Sequence, residues 1–197
     1  MKKLRALLII LLAWPGFLTA GDIRVPDHHK TIQDAINEAE PGDVILVAPG
    51  TYRERIKLKP GLALRSLGSD GKGAHGLKRA ETTIIDGAGG PDNAPGVSMA
   101  EDATLDGFTV TNVGKYDEEK WQRHWKEKGG NQSHEHIGHF GVPGIAVTGS
   151  TCNVINNIVH HNGHTGIAIR GAQKKRCAPL VANNVCYRNM GGGIGSM

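Results

Sequence analysis

Two stretches near the end of the sequence repeat each other at a spacing of 27 residues. "VINNIVHHNGHTGIAI", which starts at Val154, aligns with "VANNVCYRNMGGGIGS", which starts at Val181. Upstream, "TLDGFTVTNVG" aligns with the first of these, extended back to Asn153, at an offset of 49 residues. Asparagines, glycines and short apolar runs fall at the same places each time. Units of this kind predict a solenoid in which like residues stack from coil to coil.

The apolar runs between the asparagines and glycines favour β-strands over helices. Runs such as "VILV", "TTIIDG" and "FTVTNV" are rich in β-branched residues and too short for helices. The chain contains 28 glycines and only 5% aromatic residues, which is typical of a chain that turns often and packs small side chains. Asn and Gly tolerate the positive φ angles that sharp corners need. We therefore predict an all-β solenoid of short parallel strands.

A short helix precedes the first strands. In "TIQDAINEAEPG", apolar residues recur at helical spacing, Pro41-Gly42 ends the pattern, and Thr31 with Asp34 resembles a capping box. Only one face of this helix is apolar. Because the open end of a solenoid must be covered, we expect the helix over Thr31–Ala39 to cap it.

The first 21 residues have the pattern of a signal peptide. The basic start "MKKLR" precedes the apolar run "ALLIILLAWPGFL", and small residues follow at Ala20 and Gly21. A membrane anchor is the alternative, but Pro15-Gly16 breaks the run, which is shorter than the roughly 20 residues that a span needs. We expect a signal peptide over residues 1–21, a secreted or periplasmic domain over residues 22–197, and no stable membrane span after cleavage.

The charge of the mature chain argues against nucleic acid as a partner. The full chain has a formal net charge of +4, and Lys2, Lys3 and Arg5 of the leader account for most of it. Nucleic-acid-binding domains usually carry a clear excess of positive charge. Any affinity for anions must therefore come from local clusters.

One coil contains an insertion. Ten residues separate Asn156 from the "GIAI" that follows it, whereas 37 separate Gly107 from the corresponding "GIAV". The excess places an insertion at about residues 114–143. Acidic residues begin its segment "YDEEKWQRHWKEKGG" and lysines end it, which predicts a short helix that stops at Gly129.

The insertion and a later basic loop supply candidate substrate-binding residues. Trp121 and Trp125 lie four positions apart and so share one helix face. Their indole rings are suited to stacking on sugar rings, or alternatively fasten the helix to the solenoid wall. The loop "RGAQKKRC" adds Arg170 and Lys174, which are suited to the carboxylates of an acidic polysaccharide, although a solvated loop has the same composition.

Histidines concentrate in and near the insertion and predict a metal site. The insertion and the corresponding corner of the next coil would bring two clusters together, and imidazoles with a carboxylate suit zinc or copper. The alternative is that these histidines are solvated, because His160 and His161 align with Tyr187 and Arg188. The candidate ligands are His134, His136, His139, His161 and His164.

The N-terminal part of the domain carries a family resemblance. The segment "TIQDAINEAEPGDVILVAPGTYRERIKLKPGLALRSLG", followed by "TTIIDG", is similar to one shared by pectin methylesterases, some pectate lyases and NosD-type periplasmic proteins. Together with the repeats, it makes essentially the whole mature chain resemble the pectin-lyase-like superfamily. The resemblance implies a single-stranded right-handed parallel β-helix with an N-terminal capping helix and, in this chain, a short helical insertion.

The resemblance implies two classes of function. In the first, an exported β-helix binds or processes a polysaccharide, acidic in this family, along a groove beside the insertion. In the second, a non-catalytic NosD-like periplasmic protein holds a metal through its histidines, or the solenoid is purely structural or serves interactions. An enzyme of this family would be a lyase, esterase or epimerase, and its lyases bind calcium through aspartates.

No catalytic residue is assigned from the sequence. The methylesterase patterns "QDTL" and "DFIFG" do not occur. Asp86 and Asp106 stand in Asp-Gly dipeptides, and the turn chemistry of a corner already explains them.

The C-terminal part raises two further expectations. The sequence "GGGIGSM" stops within a repeat, so we expect the end of the solenoid to be covered by further coils or another chain. Export permits a disulfide, and Cys152 and Cys177 lie close to one coil period apart. Cys186 aligns with Val159 and is expected to fill the core as a small apolar residue.

Overall fold

The computed structural model describes residues 22–88, 93–129, 141–173 and 175–196. The strands in chain order are β1 (Asp22–Val25), β2 (Val44–Val47), β3 (Gly50–Tyr52), β4 (Ile56–Lys57), β5 (Ala63–Ser66), β6 (Thr83–Asp86), β7 (Val97–Ser98), β8 (Thr104–Asp106), β9 (Thr109–Thr111), β10 (Ile145–Thr148), β11 (Asn153–Ile155), β12 (Ile158–His160), β13 (Ile167–Arg170), β14 (Leu180–Ala182), β15 (Val185–Tyr187) and β16 (Ile194–Ser196). The helices are α1 (Ile32–Glu38), α2 (Lys78–Thr82) and α3 (Glu118–Lys128).

These strands form three sheets, and from β2 onward successive strands enter the three sheets in turn. The first sheet has the order β1-β2-β5-β8-β11-β14, the second β3-β6-β9-β12-β15 and the third β4-β7-β10-β13-β16. Every pairing between these strands is parallel. The molecule is therefore a parallel β-helix in which each full coil gives one strand to each sheet, as predicted. No helix of the described residues has the length and hydropathy required to cross a membrane.

The pairing register confirms both offsets predicted from the repeats. Val154 pairs with Val181, as the 27-residue spacing requires, and with Leu105, as the 49-residue spacing requires. After the insertion the register resumes, because Ile145 pairs with Ile167, which in turn pairs with Ile194. Since the side chains of a strand alternate between its two faces, a slip of one residue would turn the aliphatic row outward.

The core is a column of aliphatic side chains inside the coils. Leu105, Val154 and Ile167 are fully enclosed, and Phe108 is the largest enclosed side chain. Cys186 is half-buried and packs against this core beside Val159, as predicted. All three cysteines are free thiols. Cys152 and Cys177 therefore do not form the disulfide that their spacing suggested.

The last described coil is more open than the others. Leu180 and Ile194 are exposed, and Val181 is only half-buried although its partner Val154 in the preceding coil is enclosed. The expectation that further coils or another chain cover this end stays a prediction.

Stacked asparagines hold the corners of consecutive coils together. The Oδ1 atom of Asn157 accepts a hydrogen bond from the backbone N–H of Phe108 at 2.9 Å, and the N–H of Asn157 donates to Oδ1 of Asn184 at 2.9 Å. On the outer side of the same corner, Asn183 donates to Asn156 at 2.7 Å. The inner amides satisfy backbone groups that would otherwise be buried without partners. These asparagines therefore bond from coil to coil.

Helix α1 covers the N-terminal end of the coil, as predicted. Its apolar face, which includes Ile32 and Ile36, is fully enclosed, and the helix contacts β1, β2 and β4. The Glu54 carboxylate accepts the N–H groups of Ile32 and Gln33 at 2.9 Å each. At the other end, Nζ of Lys59 donates to the carbonyl of Ala39 at 2.6 Å. Side chains from the first full coil therefore satisfy both ends of the cap.

Candidate functional site

Helix α3 projects from the corner between the second and third sheets. It begins and ends as predicted: the Asp117 carboxylate accepts the N–H of Lys120 at 2.9 Å, and Gly129 caps the end at φ 57°. The Trp121 and Trp125 rings stack with centroids 5.7 Å apart and planes 9° from parallel. None of the described α3 side chains is buried, and Trp125 is 53% exposed. Trp125 therefore presents its ring to solvent, whereas Trp121 is half-buried.

Arg188 joins α3 to the last described coil. Its guanidinium lies over the Trp121 ring, 5.5 Å from the centroid, and forms an ion pair with Glu118 at 3.1 Å. Glu118 also accepts a hydrogen bond from the hydroxyl of Tyr116. The cation, the carboxylate and the phenol thus form one connected group at the base of the tryptophan pair.

The backbone at the corner that carries Arg188 is in the left-handed conformation. Asn112, His161 and Arg188 occupy equivalent places in consecutive coils, with φ angles of 57°, 52° and 48°. Asparagine adopts this left-handed conformation readily, whereas other residues adopt it at a cost of roughly 1–2 kcal/mol. Histidine and arginine at such positions are typical of functional sites, because the strain is tolerated for what the side chain does.

Aromatic rings continue from this corner across the outer face of the second sheet. His160 and Tyr187 pair across β12 and β15, and their rings stack 4.8 Å apart at 24°. His75, from the loop before α2, stacks on Tyr187 at 5.5 Å and 25°. Tyr116 contacts His161 edge-on at 4.8 Å. We call this surface the aromatic row; its members are His75, Tyr116, Trp121, Trp125, His160, His161 and Tyr187.

The two histidines of the row bond to each other. Nδ1 of His160 lies 2.6 Å from Nδ1 of His161 and 3.2 Å from the hydroxyl of Thr111. Burial, with smaller contributions from His161 and His75, lowers the pKa of His160 to about 4. Burial, followed by the charge of Arg188, also lowers the pKa of His161. Both imidazoles are therefore neutral at neutral pH.

The phenol and the carboxylate beside them are shifted in opposite directions. Burial, followed by the bond to Glu118, raises the pKa of Tyr116. The same bond from Tyr116 lowers the pKa of the Glu118 carboxyl. The row accordingly contains a protonated phenol and two neutral imidazoles, beside one carboxylate paired with one arginine.

A separate cleft of about 220 Å³ lies at the corner between the first and second sheets. Arg79 of α2 forms its floor and donates to both Asp70 and Asp106 at 2.7 Å. Asn156 also donates to Asp106 at 2.7 Å, and Arg65 lies 3.5 Å from the same carboxylate. From its Asp-Gly dipeptide, Asp106 was expected to serve a turn alone. The turn exists, with Gly107 at φ 86°, but the carboxylate also fastens the loop that carries α2 to the wall.

The comparison of families agrees with this architecture. The family profile described as "Protein of unknown function (DUF1565)" matches residues 21–196. The chain belongs to the DUF1565 family. No curated protein and no solved structure matches it.

In this DUF1565 protein the predicted metal ligands are only partly placed. His134, His136 and His139 lie outside the described residues. His161 belongs to the aromatic row, whereas His164 is only 4% exposed, so the alternative interpretation of solvated histidines is wrong for His164. Among the described residues, no group of three or more His, Cys, Asp or Glu side chains is arranged to hold a metal. The metal site stays a prediction.

The predicted substrate-binding residues divide between two corners. Trp121 and Trp125 belong to the aromatic row. Arg170 is the last residue of β13. Helix α3 emerges at the corner before the first residues of the strands of the third sheet, so Arg170 lies at the other end of its strand from that corner. Lys174 lies outside the described residues. The fold therefore does not bring Arg170 to the tryptophans.

Several members of the site were missed from the sequence. The alignment of His160 with Tyr187 contained the signal for their stacking, since equivalent residues lie side by side in adjacent coils. Glu118 was assigned only to the start of α3, although it also pairs with Arg188. His75 carried no usable signal, because its loop has no counterpart in the other coils.

Proposed function

We propose that this DUF1565 protein is an exported β-helix protein that binds a polysaccharide along the aromatic row. The observation that carries the proposal is the parallel stack of Trp121 with the exposed Trp125, continuous with polar groups of the row. Sugar rings combine apolar C–H faces with hydroxyl edges. Aromatic side chains offer a broad apolar surface for such faces, and the polar tips of neighbouring residues bind the edges.

The geometry of the wall favours an extended ligand. Consecutive coils place equivalent residues about 4.8 Å apart in straight lines. Thr111, His160 and Tyr187 form one such line, and Asn112, His161 and Arg188 form the next. A polymer with regularly spaced sugar units meets a repeating set of contacts on such a surface, whereas a small ligand uses only one or two of them.

The proposal also includes export of the protein and its relationship with the pectin-lyase-like superfamily. A basic start followed by an apolar run over residues 1–21 supports a signal peptide and a secreted or periplasmic location. The three-sheet parallel coil with a helix over its N-terminal end supports a relationship with the pectin-lyase-like superfamily.

A glycan array tests the proposal directly. We expect the purified protein to bind at least one polysaccharide, and Trp125→Ala to weaken that binding about tenfold, since an aromatic contact contributes about 0.5–1.5 kcal/mol beyond its buried area. Arg170→Ala is the matched control, because Arg170 is an exposed residue at a different corner. Absence of binding, or equal binding by the Trp125 variant and the wild type, would refute the proposal.

A further inference from the structure

The backbone strain at Arg188 is not required by the fold. Arg188 has φ 48°, and Asn112 occupies the equivalent corner of an earlier coil with φ 57°. Asparagine adopts this left-handed conformation more readily than arginine does. An asparagine would therefore build the same corner at a lower conformational cost. A strained residue at a position where another coil has an unstrained one indicates a use for its side chain.

The contacts of the Arg188 side chain join α3 to the wall. Its guanidinium pairs with Glu118 at 3.1 Å, and the two side chains are 41% and 44% exposed. It also lies 5.5 Å from the centroid of the Trp121 ring. Ion pairs and cation–π contacts at such exposed positions stabilise a fold only slightly, by no more than the strained backbone costs. What these contacts determine is therefore the position of α3 rather than the stability of the coil.

Arg188, Trp121 and Trp125 form one continuous stack. Glu118 lies one helical turn before Trp121, and Trp125 lies one turn after it. Because Arg188 pairs with Glu118, it approaches the Trp121 ring from the N-terminal side of α3, whereas Trp125 stacks on that ring from the C-terminal side. Both faces of the Trp121 ring are thus covered, which agrees with its half-buried position.

The carboxylate at the base of this stack is held by three donors. Nε2 of Gln122 donates to Glu118 at 2.7 Å, and the hydroxyl of Tyr116 donates to the same carboxylate. These two donors belong to the insertion itself, whereas the third, Arg188, belongs to the wall. Loss of the Arg188 side chain would leave Glu118 bonded within its own segment, without this tie to the coil.

One aromatic face of the stack remains open to a ligand. Trp125 is 53% exposed, and Trp121 occupies one face of its ring. The opposite face of Trp125 is a broad apolar surface onto which the C–H face of a sugar ring can stack. A platform that is ordered before binding gives a higher affinity, because no side chain then has to be immobilised when the ligand arrives.

We infer that Arg188 is a positioning residue, which holds the stack against the wall so that the outer face of Trp125 receives one sugar ring of the glycan. The inference rests on the proposed polysaccharide binding and assigns that site its aromatic platform. Arg188 acts through Trp121 and Trp125 and not on the sugar itself.

The first experiment measures the order of the two indoles without any glycan. Arg188→Asn copies Asn112, and Arg188→Lys keeps a cation beside the Trp121 ring. ¹⁵N relaxation of the indole N–H groups is measured in the purified protein, with signals assigned from Trp121→Phe and Trp125→Phe. We expect order parameters of about 0.85 in the wild type and in Arg188→Lys, and below about 0.6 for Trp125 in Arg188→Asn. Equal order in the wild type and Arg188→Asn would overturn the inference.

Thermal unfolding distinguishes positioning from a structural role. Because asparagine relieves the strain at φ 48°, we expect the midpoint of Arg188→Asn to equal or exceed that of the wild type. A residue required by the fold would give the opposite result. A midpoint of Arg188→Asn clearly below that of the wild type would assign Arg188 to the structure and overturn the inference.

Binding to a glycan selected on the array completes the test. We expect Arg188→Asn to weaken binding about two- to fivefold, the factor that corresponds to an exposed cation–π contact, and Arg188→Lys to restore most of the loss. In the Trp125→Ala background, Arg188→Asn should weaken binding no further, since Arg188 acts through this platform. Losses that add in the double variant would overturn the inference.

The outcomes separate the inference from the proposed function. Equal affinity of Arg188→Asn and the wild type for the same glycan would overturn the role of Arg188 and leave polysaccharide binding in place. If no glycan binds, polysaccharide binding and the sugar platform both fail, whereas the indole measurement still decides whether Arg188 positions the stack.

Discussion

Replacing Arg79 by methionine removes the side chain that fastens the α2 loop to the coil. The Arg79 side chain is 5% exposed and makes five hydrogen bonds, to Asp70, to two oxygens of Ser66 and to two oxygens of Asp106. Methionine preserves much of the volume but none of these bonds. The Asp106 carboxylate, only 10% exposed, then keeps Asn156 as its close donor.

The size of the stability loss in Arg79→Met follows from the buried Asp106 carboxylate. Removing one partner of a buried ion pair costs about 3–5 kcal/mol, and Arg65, half exposed and 3.5 Å from Asp106, compensates the remaining charge only weakly. The bond to Asp70 adds little, since that carboxylate is largely exposed. For a domain of this size, 1 kcal/mol corresponds to about 2–4 °C, so the midpoint of thermal unfolding should fall by roughly 6–20 °C.

Urea and thermal unfolding followed by circular dichroism measure this loss. Arg65→Met is the matched control: Arg65 is half exposed and lies 3.5 Å from the same carboxylate, so its loss should cost less than about 1 kcal/mol. Asp106→Asn in the Arg79→Met background should restore part of the stability by removing the unpaired charge. Equal losses from the two arginine variants, or strictly additive losses from Arg79→Met and Asp106→Asn, would refute the reasoning.

Three further predictions concern the cap, the histidine pair and the corners. Glu54→Ala leaves two N–H groups of α1 without acceptors and should lower the free energy of unfolding in urea by about 1–2 kcal/mol, whereas an unchanged midpoint would contradict the capping role. Because the pKa of His160 is lowered to about 4 in the folded state, stability present above pH 6.5 should fall as pH drops toward 4, by at most about 3 kcal/mol. The His160→Thr variant should lose this part of the pH dependence, and a wild-type slope in that variant would assign it to other groups. Asn162→Ala removes a buried acceptor of the Val113 N–H and should cost about 1–3 kcal/mol in the same urea assay, and a loss below 0.5 kcal/mol would count against the ladder.

Residues that stack were predictable from sequence, because stacking imposes a repeat. Val154 and Val181 occupy the same position in adjacent coils, and both face the core. The same kind of side chain is therefore required at both positions, and the repeat reveals the pairing register. Helices α1 and α3 were predictable for a different reason. Their limits depend on local capping, in which Thr31 and Asp117 each accept an N–H group three residues later.

The contacts on the outer surface were less predictable. His75 meets Tyr187, and Arg79 meets Asp106, through a loop that occurs in one coil only, so no second copy of the pattern exists to compare. Asp106 was set aside because an Asp-Gly turn already accounted for it, although one carboxylate serves both purposes. Arg170 was predicted as a binding residue from its charge alone, and the three strands of each coil place it at another corner than the tryptophans.

At the corner that carries α3, the length of the connecting segment is independent of the pairing of the strands that it connects. The chain takes residues 112–144 to pass from β9 to β10, but only residues 161–166 to make the same passage from β12 to β13. Val110 nevertheless pairs with Val159, and Ile145 with Ile167. Segment length at this corner can therefore change without disturbing the wall. Recognition in such a protein can evolve, or be engineered, by exchanging one corner segment as a cassette while the coil that displays it stays the same.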